Sequence, residues 1–280
     1  MALTLSAPAA DMEADRSRAA SVSAARRRKQ AWLGWSVRLA SLAIMLTVWQ
    51  IVGAGISPVL FTTPAKVAVA AVHMIADGVL WAYLWPSLVV LIYGLLISAV
   101  SGVLIGVLLA RYWLLDQAFG GYITFLYATP AVALVPVIVL WTGYGTLAKT
   151  IILVLFAFFP VAINTYEGVR NVDEKLLEVG RSFRCTERQL WGHIVLPSAL
   201  PFIVTGLRLA VGRGLIGMVL ADLYTAISGI GYLIVRGAST YRIDRMFVPV
   251  VTVGLLGVIL SACLRVLERR VAPWTAVRRD

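Results

Sequence analysis

Three long stretches of this chain carry no charge, and their lengths restrict the fold more than any other feature. No Asp, Glu, Lys or Arg occurs over residues 39–65, 78–110 or 117–148. A bilayer core takes about 20 apolar residues of helix, and a backbone in lipid must satisfy its own hydrogen bonds. Each run is therefore long enough to span. Composition agrees: 60% of the 280 residues are hydrophobic and 14% charged, against roughly 45–50% and 25% in a soluble domain. One soluble core cannot enclose that surplus. The sequence predicts an all-α polytopic membrane protein with six spans, near 35–55, 83–109, 120–141, 146–167, 199–224 and 246–267.

The formal net charge of +11 raises a nucleic-acid reading, which the distribution of charge excludes. Residues 1–30 contain "RRRK" at 26–29 and are expected to form a disordered, basic cytoplasmic tail ahead of a membrane domain over 31–270. Residues 271–280 are expected to form a second cytoplasmic tail. With both termini inside, the cytoplasmic segments carry 18 of the 25 Lys and Arg. The outside carries five: Lys66, Lys149, Arg236, Arg242 and Arg245. That is the bias that orients membrane proteins. Trp32, Trp35, Trp81, Trp85, Trp113 and Trp141 fall at span ends, where an amphipathic ring prefers the interface. Cys185 and Cys263 lack the spacing of a metal site and read as free thiols. No metal or cofactor is expected.

Thr63, Pro64 and Gly78 read as cap, first-turn proline and stop signal of a helix over 63–77. Its polar face of Lys66, His73 and Asp77 suits a helix lying on the outer membrane surface. Next, "GYGTLAKT", from Gly143 to Thr150, comes one residue short of a phosphate-binding loop, with Ala148 where the second glycine belongs. An apolar helix precedes it instead of a strand, and the orientation puts it outside, away from ATP. It is no nucleotide site, and Lys149 is expected to snorkel from the start of span four. If ATP drives this protein, another chain binds it.

The cytoplasmic loop over 168–197 holds two short helices with their own start signals. Asn171 is the expected cap of the first, and Thr186 with Gln189 forms a capping box on the second. Phe183, Arg184 and Cys185 form the break, and Pro197 opens span five. Here the chain resembles the membrane subunits of bacterial ABC importers. Their loop reads Glu-Ala-Ala, three residues, Gly, nine residues, Ile-x-Leu-Pro. This chain matches at Glu178, Ile194, Leu196 and Pro197, and departs where Val179 and Gly180 replace the alanines and Arg184 the glycine. "WTGYGTLAK", "FFPVAINTYEGV", "EVGRSF", "LPSALPFIVTGLRLA" and "SGIGYLI" carry the flavour of the sulfonate/nitrate/taurine subfamily.

The resemblance implies a type I importer permease in the bacterial inner membrane, acting as a homodimer. It implies two cytosolic ATP-binding subunits and an external substrate-binding protein as partners. It makes the loop a hairpin that docks into the ATPase subunit through Glu178, Gly180, Phe183, Arg184, Thr186, Ile194, Leu196 and Pro197, with Leu176, Leu177, Phe183 and Leu190 supplying apolar contact. Arg208, Arg213 and Asp222 sit on span five, where a charge costs on the order of 2.5–3.5 kcal/mol by insertion scales. Such residues face protein or a watery path, which makes these three the candidates for lining one. A cationic path suits a small anionic or polar organic solute. The alternative is an ion-coupled secondary transporter, which needs buried carboxylates that spans one to three lack. No nucleophile–base pair supports an enzyme.

Overall fold

The computed structural model describes residues 9–271, and every regular element among them is helical. In chain order these are α1 (Ala9–Ala54), α2 (Pro64–Ala76), α3 (Val79–Arg111), α4 (Trp113–Ala128), α5 (Ala131–Thr142) and α6 (Thr146–Arg170). Then follow α7 (Glu174–Ser182), α8 (Glu187–Leu190), a π turn (Trp191–Val195), α9 (Leu196–Thr225), α10 (Ile230–Ser239) and α11 (Ile243–Val271). The chain divides into two units after Ala65.

In the first unit α1 is one helix of 46 residues, of which Trp32–Ala54 is long and apolar enough to cross a membrane. The helix runs back through residues 9–30, where the sequence suggests disorder. That segment is rich in Ala and Arg, both strong helix formers, and it extends a helix already nucleated by the span. At its other end the chain folds back, and the Trp49 indole donates to Thr62 O at 2.9 Å. The tail over 272–280 lies outside the described residues.

The core of the second unit is a three-helix sandwich of α3, α6 and α9, with α10 against it. Val90 and Leu91 of α3, Leu153, Ala157 and Val161 of α6, and Leu215 and Met218 of α9 form its centre. In lipid no hydrophobic force pulls helices together, so contact depends on close backbone approach. Gly106 provides it: a Cβ there would stand 2.6 Å from Ala162 O. The outward faces stay apolar, as lipid requires; Val100, Leu140 and Leu255 are all exposed.

Two spans differ from the sequence expectation. The third is a broken pair, α4 and α5, bent by 99° at Thr129–Pro130. Pro130 has no N–H and forces the residue before it out of the helical region, and Thr129 is extended at ψ 135°. Counting that bent pair as one span, six segments are long and apolar enough to cross a membrane. The fifth does not begin at Pro197. Its helix continues from α8 through the π turn, where Leu196 N–H donates to Trp191 O, five residues back. The wider turn makes room for the Pro197 ring, which would otherwise press on the carbonyl four residues earlier. The short helix α10 was not foreseen. α2 does follow its signals: Gly78 is left-handed at φ 70°, and Val67, Ala70 and Met74 are buried.

Candidate functional site

The two-helix loop sits beyond the C-terminal ends of α3 and α6. Asp173, not Asn171, caps α7: its carboxylate accepts from Lys175 N at 3.0 Å. Asn171 instead closes α6, donating its side-chain amide to Glu167 O at 2.8 Å. Thr186 and Gln189 form the expected capping box, with Thr186 N donating to Gln189 Oε1 at 2.8 Å. The turn between the helices is a Schellman motif. Cys185 N donates to Gly180 O at 3.1 Å and Arg184 N to Arg181 O at 2.8 Å. Arg184 occupies its left-handed position at φ 52°, the place where glycine is favoured.

Two expectations follow for this turn. Arg184→Gly removes left-handed strain of about 1 kcal/mol and should raise thermal stability without loss of transport. Thr186→Ala removes a cap contributing about 1 kcal/mol and should lower it. Thermal unfolding of the purified protein, read with uptake, checks both; a less stable Arg184→Gly would show that the arginine side chain holds the turn.

Packing divides the loop into an inner and an outer face. Leu177, Trp191 and Ile194 pack on the cluster of Val169, Val172, Val195 and Ala199, and Leu190 is buried as well. Gly180 faces Leu190 and Ile194 so closely that a Cβ would come within 2.5 Å of a Leu190 methyl. Leu177 and Leu190 therefore hold the loop to its own chain and are not available to a partner. Leu176, Val179 and Phe183 are outward, Phe183 80% exposed, and Glu178 is exposed beside them. Leu196 is exposed and Pro197 half-buried at the base. Arg111, ending α3, lies over the Trp191 ring at 4.8 Å and braces that base.

At the other end of the bundle is a buried ionic network. Lys149, in the first turn of α6, does not snorkel. Its Nζ is 2.7 Å from Asp222 Oδ1 of α9, and both side chains are at most 5% exposed. Nζ also donates to Ser228 O at 2.5 Å and to Ser228 Oγ at 3.1 Å. Ser87 of α3 donates to Asp222 Oδ2 at 2.5 Å and accepts from Ile230 N of α10 at 2.7 Å. Gly229, at φ 99°, must be glycine, because a Cβ would fall 2.2 Å from the same carboxylate oxygen. Four helices are thus tied together at one point.

This corrects the reading of Asp222 as a path residue. A carboxylate buried in an apolar bundle is retained only with a cation and donors to satisfy it, and Asp222 has both. It also explains two motifs: "WTGYGTLAK" supplies the lysine, and "SGIGYLI" supplies its Ser228 ligands and the glycines that let the chain approach. Two lone opposite charges at the same ends of apolar helices were the available signal.

Arg208 is also engaged, by Glu268 of α11, in a pair that ties the last helix to α9. Arg213 is different. It is exposed, donates to Tyr127 Oη of α4 at 3.1 Å, and lies over that ring at 4.8 Å. Tyr127 lines a cleft of about 680 Å³ between α4 and α6, with Gln117, Thr124, Tyr166 and Glu167 among its walls. Asp116, also in the cleft, pairs with Arg170 at 3.0 Å and accepts from Tyr166 at 2.9 Å. Of the three span-five charges, Arg213 is the exposed one, and its partner Tyr127 lines the cleft.

Comparison with known proteins agrees with these features. Residues 102–273 match the family described as binding-protein-dependent transport system inner membrane component. The chain is 31% identical over 243 residues to the putative aliphatic sulfonates transport permease protein SsuC of Bacillus subtilis, covering 86% of this chain and 88% of that one. It is 29% identical to the formylaminopyrimidine transport permease protein ThiX of Halalkalibacterium halodurans, over 82% and 92% of the two chains. It is also 29% identical to the taurine transport system permease protein TauC of Escherichia coli, over 85% and 90%. The crystal structure of an amino acid ABC transporter shares the fold, with a TM-score of 0.55 at 18% identity, over 71% of this chain and 97% of that one. The chain belongs to the binding-protein-dependent inner membrane component family, as a permease subunit of an ABC importer of the sulfonate and taurine type.

Proposed function

We propose that this permease forms a homodimer that moves a small organic anion of the sulfonate class inward, driven by ATP hydrolysed on two cytosolic subunits. The carrying observation is the loop: two capped helices joined by a Schellman turn, seated on the bundle by Leu177, Leu190 and Ile194, with Glu178, Leu176, Val179 and Phe183 left outward. A rigid unit with an exposed apolar face and the Glu178 carboxylate beside it suits a docking surface that transmits a partner's closure to α6 and α9. Arg213 beside the α4–α6 cleft is the candidate contact for the anion along the path. The relatives' names support the sulfonate class, SsuC and TauC together outweighing ThiX.

In this reading the loop and both termini face the cytoplasm, as the charge bias indicates. Ser87 in the Lys149 network and Arg111 at the loop stand 24 residues apart on α3, about 36 Å at 1.5 Å per residue. Single cysteines in a chain with Cys185→Ser and Cys263→Ser test the orientation. Ser182→Cys should resist an impermeant thiol reagent in intact cells, and Thr146→Cys should react. Purified alone the chain should hydrolyse no ATP. Proteoliposomes holding the permease, its ATPase subunits and the binding protein should take up labelled alkanesulfonate only with internal ATP. Uptake by the permease alone on an ion gradient would overturn the mechanism.

A further inference from the structure

At the end of α3 opposite the loop, three arginines stand without an ion-pair partner among the described residues. Arg236 lies in the last turn of α10, Arg242 immediately precedes α11, and Arg245 lies in its first turn. The turn between the two helices is tightly built. A Cβ on Gly237 would meet the Met246 backbone at 2.8 Å. Tyr241 is left-handed at φ 54°, and Arg242 N donates to Gly237 O at 2.9 Å. These constraints gather all three guanidinium groups around one hollow of about 310 Å³, shared with Met74, Asp77 and Thr240. One carboxylate meets three cations there. All three arginines and Asp77 are exposed, and none of the four makes an ion pair among the described residues.

In the orientation proposed above this hollow lies outside the membrane. Only five of the 25 basic residues lie there, and three of them belong to this one turn. Positive charge beside a span opposes its translocation, so a cluster held outside needs a use that offsets that cost. The family is described as dependent on a binding protein. We infer that the Arg236–Arg242–Arg245 hollow is where an acidic face of the substrate-binding protein docks. Its position leaves the loop at the far end free for the ATPase subunit, so both partners engage at once. Arginine suits the task, because its planar fork takes a carboxylate through two parallel hydrogen bonds. Exposed charges of this kind govern encounter and salt dependence.

The inference rests on the proposed orientation, and its test separates the two. The permease with its ATPase subunits is reconstituted in nanodiscs of phosphatidylcholine and phosphatidylglycerol. It is then titrated with the purified substrate-binding protein that supports uptake by the same importer. Raising salt from about 50 to about 500 mM should weaken docking about tenfold or more. The variant R236E/R242E/R245E should dock about tenfold or more weakly at low salt and lose most of that salt dependence. Its ATPase subunits should still co-purify, with unchanged basal hydrolysis. Equal docking by the variant overturns the inference. Salt-independent docking, or none, by the parent complex does the same, and needs no folded variant. Normal docking with loss of bound phosphatidylglycerol overturns it in favour of lipid headgroups. Arg242→Cys labelled only in inverted vesicles overturns the orientation itself; labelled from outside while R236E/R242E/R245E docks like the parent, it leaves the orientation standing and the inference overturned.

Discussion

Lys149→Met and Asp222→Asn should each cripple this permease, while the double variant Lys149→Met/Asp222→Asn recovers most of the lost stability. Each single change leaves an opposite charge, or the donors arranged for it, in a site at most 5% exposed. Removing one member of a buried pair costs about 3–5 kcal/mol, whereas replacing both by groups of similar shape is often neutral. Lys149→Met strands a carboxylate held by Ser87 and Gly231; Asp222→Asn strands an ammonium whose other ligands are both on Ser228. Because the network joins α3, α6, α9 and the approach to α10, the damage should appear as lost membrane protein and a lowered unfolding midpoint, with uptake falling in step. A Lys149→Met chain that melts and transports like the parent would show that the pair holds nothing together.

The second large effect is expected at the opposite end. Glu178→Ala and Phe183→Asp should leave the permease inserted and folded, since both side chains are exposed and neither supports the bundle. What they should weaken is the grip on the ATPase subunit. Truncating one partner of a desolvated interfacial pair costs about 2–5 kcal/mol, so association should fall by roughly 30-fold or more. Placing a charge at Phe183 removes apolar contact and introduces an unpaired carboxylate, and should be at least as damaging. Co-purification of the ATPase subunits, read alongside ATP-dependent uptake, measures both variants. Leu190→Ala serves as a contrast. It empties a buried site, so stability should drop together with coupling. Normal assembly and uptake in Glu178→Ala would remove the carboxylate from the coupling surface.

Much of this protein was legible before any tertiary structure. Span placement follows from runs of uncharged residues, because lipid imposes a nearly one-dimensional rule of apolarity and length on each helix. The Thr186 capping box, the Gly78 stop and the special turn at Arg184 are equally local, each depending on residues within a few positions of one another. The family emerged from the same kind of signal, spaced motifs read along the chain.

What escaped that reading is long-range partnership. Lys149 looked like a snorkelling lysine and Asp222 like a path residue, since nothing in sequence says that positions 73 residues apart meet at 2.7 Å. Arg208 likewise finds Glu268 across 60 residues. Leu190 and Phe183 are both apolar loop residues, yet packing buries one and leaves the other outward. Sequence by itself determined that the chain crosses a membrane, about how many times, and to which family it belongs, because hydropathy and capping act locally. Only the tertiary structure decided which charges are structural and which stand beside open space, because the cost of a charge in an apolar bundle depends on the partner that the fold brings to it.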